Sequence, residues 1–167
     1  MDTKLLSDHK LIIYILGQMI KRLCNCPLIY ESQTLNQEKY PFFTYNFISL
    51  EEDLTFDWQK EHQPYKAQFQ VDAYSDNPLD AEELILKLWE GLKSSQYRIF
   101  FTQADITPQT LGNTSNRTAL VTGNYQYRFG FDVTFSLLRG VAKDVNQLNF
   151  DGQDLTIESI STKEEED

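Results

Sequence analysis

"KAQFQVDAYSDNPLDAEELILKLWE", Lys66 to Glu90, changes its period half-way. Ala67, Phe69, Val71 and Ala73 alternate with Lys66, Gln68, Gln70 and Asp72, which predicts a half-buried strand. Its polar side is expected to meet water or a neighbouring subunit. "SDNP" is the turn that follows, with Asn77 as N-cap and Pro78 as first helical residue. Asp80, Glu82 and Glu83 load the positive end of the helix dipole. Ala81, Leu84, Ile85, Leu88 and Leu92 then recur at helical spacing, so the face that buries Phe69 and Val71 can receive this helix. Every polar residue in the join is explained by exposure or capping, which makes the segment a scaffold half.

Outward from this unit the same two periods continue. Upstream, Ser7 can cap a helix carrying Ile12, Ile15, Leu16, Met19 and Leu23 on one stripe, with Lys21 and Arg22 at its negative end and Asn25 and Pro27 as stops. "PLIYES", Pro27 to Ser32, is a short strand candidate. "YPFFTYNFISL" carries large apolar groups on both faces and predicts a central strand covered on both sides. Glu51 to Tyr65 has no clean period and reads as a loop or hairpin tip. Downstream, "YRIFFTQADIT", Tyr97 to Thr107, is expected to be a strand, and Pro108 to Asn124 a polar loop. The strongest strand follows: Tyr125, Tyr127, Phe129, Phe131, Val133 and Phe135 form an aromatic face that belongs in the core. "FDGQ", Phe150 to Gln153, reads as a hairpin-type turn and "DLTIESI" as an edge strand.

This order, with hairpin-length connections and no βαβ alternation, predicts an α+β fold: a mostly antiparallel sheet of four to six strands, with two main helices packed largely on one face. Residues 1–160 are expected to form one domain and 161–167 an acidic, disordered tail.

Composition narrows the function. The 167-residue chain is long enough to bury a core without disulfide or metal staples, and a net charge of −10 opposes phosphate binding. Cys24 and Cys26, one residue apart, lack the second pair of a zinc site and read as reduced thiols of a cytoplasm. The apolar run Leu11 to Ile20, flanked by Lys10 and Lys21, is too short to span a bilayer. No glycine-rich phosphate loop, HExxH, nucleophile elbow or paired CxxC appears, and nothing points to a cofactor. His9 and His62 are assigned surface or structural roles. Asp53, Asp57, Asp72, Asp76, Asp105 and Asp132 are the residues a magnesium-type enzyme would have to bring together. That cytosolic carboxylate-site enzyme is one alternative; a cytosolic binding module with a groove between the first helix and the sheet is another.

Three stretches in one order, "YPFFTYNFI" (Tyr40–Ile48), "FQVDAYSDNPLDAEELILKLWEGL" (Phe69–Leu92) and "YQYRFGFDVTFSL" (Tyr125–Leu137), together with the leading helix, resemble the tail-terminator or neck-terminator proteins of tailed bacteriophages. The resemblance covers Ser7 to Leu138. It implies a non-catalytic structural subunit that forms a ring, usually of six, caps the tail tube and joins it to the head connector. It also implies partners among tail-tube and head-completion proteins, while the acidic charge and the short apolar run predict no sequence-specific nucleic-acid binding and no membrane. Its place would be the tail or neck of a virion assembled in a bacterial cytoplasm, from a phage or prophage genome. Assembly is expected to use the loop tip Phe56, Asp57 and Trp58, the polar loop Asn113, Thr114, Ser115, Asn116 and Arg117, and the acidic tail Glu164, Glu165, Glu166 and Asp167. Trp58, an aromatic in a charged segment, is the residue there suited to plug a local cluster or anchor an interface.

Overall fold

The computed structural model describes residues 3–31, 39–54, 62–121 and 123–151. The fold is α+β. Its spine is strand β4 (Pro64–Ser75) paired antiparallel along its whole length with β8 (Asn124–Leu138). On the other side of β4 lies β3 (Phe42–Asp53), also antiparallel, and β2 (Leu28–Tyr30) adds to β3 as a short parallel edge. β8 carries three short strands along its far edge: β5 (Thr107–Leu111), β6 (Ser115–Asn116) and β7 (Ala119–Val121). Among the described residues the result is a seven-stranded sheet, larger than the four to six strands expected, while β1 (Leu5–Leu6) pairs separately with β9 (Lys143–Asp144).

Alternation decides the two faces. Ala67, Phe69, Val71 and Ala73 are fully buried with Phe131, Val133 and Phe135, and α1 (Asp8–Cys24), α2 (Pro78–Lys93) and α3 (Ser95–Thr102) close over them. The α2 start forms as its sequence dictates: the Asn77 side chain accepts a hydrogen bond from Leu79 N at 2.9 Å, and Pro78 opens the helix. Ser7 occupies the N-cap of α1 but makes no side-chain cap bond, and Asn25 ends the helix in the left-handed region. Gly91 lets α1 and α2 approach closely, since a Cβ there would lie 2.7 Å from Leu23 Cδ1 and 2.9 Å from Met19 Cε.

Four expectations need correction. Tyr97 to Thr107 is not a strand: Ser94 accepts from Tyr97 N and caps α3, in which the consecutive Phe100 and Phe101 are both fully buried. A strand would have sent them to opposite faces, whereas neighbouring positions of a helix can share one core. Pro108 to Asn124 is not a loop: it holds the short strands β5, β6 and β7, each paired with β8. The strand predicted to be covered on both sides is buried only at Phe42, Phe43 and Thr44, and its distal Ile48 and Leu50 are exposed. Asp72 lies on the polar face expected for it but does not meet water: it is 1% exposed. The "FDGQ" turn extends, and "DLTIESI" lies entirely, outside the described residues.

Candidate assembly surfaces

Asp72 sits on the face of β4 away from the helices, where period-two alternation places it. What hides it is arginine. Arg117 Nη1 donates to Asp72 Oδ1 at 2.8 Å and Arg128 Nη2 to Oδ2 at 2.7 Å, while Gln70 Nε2 donates to the same Oδ2 at 2.7 Å. Arg117 also reaches Asp132 at 3.1 Å, and Arg128 reaches Glu31 at 2.6 Å. Burial opposes the Arg128 charge, but hydrogen bonding to Asp72 and the nearby carboxylates outweigh it and raise its pKa above the ordinary guanidinium value. The opposite strand makes room by having no side chain: a Cβ on Gly130 would fall 1.6 Å from Asp72 Oδ1. Beside this cluster Tyr40 stacks on Phe42 and Phe42 on Tyr74, with Arg128 over the Tyr74 ring. The network therefore ties β2, β4, β8 and the β6–β7 excursion into one body, with Asp72 at its centre.

The two ends of the sheet differ from this sealed middle. At one end the β3–β4 hairpin is braced by Arg139, which pairs with Glu51 and with Asp53 at 3.0 Å and lies over the Tyr65 ring. Tyr65 Oη donates to Asp8 Oδ1 at 2.8 Å, and burial followed by this bond pushes its pKa up. Beside the brace His9 Nε2 lies 2.7 Å from Leu50 O and packs against Phe47, Tyr65 and Phe69. Ile48 and Leu50 stay 49% and 55% exposed there. At the other end β7 turns into β8 through Gly123, whose φ of 82° suits a residue without Cβ. This hairpin presents Leu120 and its cross-strand partner Tyr125 at 62% and 66% exposure, with Tyr125 stacked on Tyr127. The aromatic face predicted for the core thus runs past the helices at its first residues.

Of the predicted assembly residues, Phe56, Asp57, Trp58 and Glu164 to Asp167 lie outside the described residues. Asn113, Ser115 and Asn116 are exposed, Thr114 is half-buried, and Arg117 turns inward to Asp72 and Asp132. Leu120 and Tyr125 escaped the sequence reading because one fell in an apparent loop and the other in an apparent core strand. The signal available was the run Thr118 to Tyr127, which carries no charge between Arg117 and Arg128.

The alternative chemistries find little geometry. Asp53 pairs with Arg139, Asp105 with Lys143, and Asp72 and Asp132 with Arg117; Asp76 accepts from Ser75. Asp57 is outside the described residues, and among those described no three His, Cys, Asp or Glu side chains gather to hold a metal ion. The centre of the α1–sheet interface is filled by Leu11, Ile12, Ile15, Leu16, Met19 and Ile20, and open space between that helix and the sheet lies at its N-terminal end, in a cavity lined by Ser7, Asp8, His9, Lys10, Ile13 and Phe47. Burial, then the neighbouring Cys26, raises the Cys24 thiol to about 11, and Cys26 Sγ donates to Cys24 O at 3.1 Å. Both cysteines are free. No helix among the described residues is long and apolar enough to cross a membrane.

A family model described as "phage neck terminator protein" matches residues 10–164. The chain belongs to the phage neck terminator family. The match begins at Lys10 and runs past Leu138, where the sequence resemblance ends, to Glu164. No curated protein matches the chain. Membership makes this a phage structural protein.

Proposed function

We propose that the protein forms a ring that caps the tail tube and joins it to the head connector, acting by assembly and not by catalysis. The observation that carries this reading is the family match over 155 residues. Three features of the molecule support it. Apolar side chains stand exposed at both ends of a long sheet, in the manner of contact sites between subunits. A heterologous contact between two different surface patches closes into a ring when the rotation fits. A net charge of −10 also suits a passage that must not hold DNA.

In this reading the partners are further copies of the chain, ring stoichiometry six, and the tail-tube and head-completion proteins. The segment Phe56 to Trp58, the run Asn113 to Arg117 and the acidic Glu164 to Asp167 contribute to these contacts. The assembled protein resides in the tail or neck of the virion. Light scattering and negative-stain imaging of full-length protein, alone and with isolated tail tubes, provide the test. Rings of about six subunits, free or seated on tube ends, are expected. A protein that stays monomeric in both settings would overturn the proposal. Trp58→Ala is expected to weaken tube seating; unchanged seating removes Trp58 from the contact set.

A further inference from the structure

Two surface features of this chain, an exposed apolar tip and a cavity of mixed polar and apolar lining, lie far apart along the sheet. The tip of the β7–β8 hairpin carries Leu120 and Tyr125. At the β3–β4 end, a cavity of about 420 Å³ is lined by Ser7, Asp8, His9, Lys10, Ile13 and Phe47, with the exposed Ile48 and Leu50 next to Phe47 along β3. Phe47 is level with Phe69 and Val133 in the sheet register. Tyr125 therefore lies about 27 Å further along β8, at about 3.4 Å per residue, and cannot fill the cavity of its own chain.

We infer that the β7–β8 tip is the arm that joins one copy of this chain to the next, with Leu120 and Tyr125 seated against the cavity lined by His9, Ile13 and Phe47 of a second copy. This rests on the ring reading and names the joint within it. Three observations favour a second copy as the occupant. Knob and hole are on different patches of one molecule, so the contact is heterologous and repeats from copy to copy. The tip is free of charge from Thr118 to Tyr127 in a chain that carries −10, which removes like-charge repulsion where two such chains must touch. The cavity lining offers the Phe47 and His9 rings and the Ile13 side chain to an incoming aromatic, with Lys10 to donate to a phenol hydroxyl and Asp8 to accept from it.

The test places a photo-crosslinking benzoyl-phenylalanine at position 125 of the full-length protein. Nitrogen-14 and nitrogen-15 copies are mixed, and assembly is followed by light scattering, alone and on tail tubes. Mixed-isotope cross-links from the tip to Ser7–Ile13 or Phe47–Leu50 are expected. Cross-links that map elsewhere, or only within one chain, or that fail to form in an assembled sample, overturn the inference and leave the ring reading standing. Absence of any assembly in both settings removes the ring reading and the inference together. A second arm uses Leu120→Asp with Tyr125→Asp in one chain and, in another, Lys10→Glu with Ile13→Ser, both of which line the cavity. Each alone should self-associate about tenfold or more weakly, with circular dichroism unchanged, and their mixture should give a dimer through the one intact joint. Normal assembly of the first variant would refute the joint.

Discussion

The two faces of the sheet are built on opposite principles. Under the helices, Phe69, Phe131, Phe135 and their neighbours exclude water by shape and volume, and any apolar group of the right size would serve. On the far face the ordering comes from one carboxylate held by two guanidinium groups, where geometry and charge leave no such freedom. The first face is tolerant and strong; the second is specific. A polar face of this kind fixes where the β6–β7 excursion lies, because Arg117 is carried on it.

The comparison can be broken in order of expected effect. Phe135→Ala should cost about 3–5 kcal/mol of unfolding free energy in urea, since the ring is fully buried against Phe69 and Phe101. Asp72→Ala should cost about 3–4 kcal/mol by leaving two arginines without their shared partner. The double variant with Arg117→Ala should then lose less than the sum of the single losses by about 1 kcal/mol or more. A strictly additive result would show that the ion pair has no energetic coupling. Gly130→Ala should cost about 1–3 kcal/mol by displacing the Asp72 carboxylate, with Asp72→Ala relieving part of that penalty in the double variant. Asn77→Ala, which touches neither face and removes only a helix cap, should cost about 1 kcal/mol. Leu120→Ser should change stability by no more than about 0.5 kcal/mol, separating the hairpin tip from the fold it projects from.

The sequence shows some of this openly. The unit from Lys66 to Glu90 is legible because strand alternation, cap, proline and helical stripe all agree, and each appears in the structure at the expected residues. α3 was hidden because a short run with two adjacent phenylalanines fits either period. β5, β6 and β7 were hidden because strands of two to five residues are too short to show a period of their own and form on the edge of β8. Asp72 shows a different limit. Alternation correctly says which face it occupies, but whether that face is covered depends on Arg117, 45 residues away in sequence, and Arg128, 56 away. The sheet-end residues were obscured similarly: Tyr125 obeys the core pattern but lies beyond the reach of the helices.

The long β4–β8 ladder also has a mechanical meaning. Pro64 to Ser75 pair without interruption with Leu138 to Tyr127, and the two hairpins stand at opposite ends of that ladder. A pull applied between the hairpins runs parallel to the strands, so the paired residues share the load in shear instead of opening one after another. Resistance to such a pull is set by the rate of rupture and not by equilibrium stability. A subunit whose contacts lie at those two ends would therefore transmit tension through its most continuously hydrogen-bonded part.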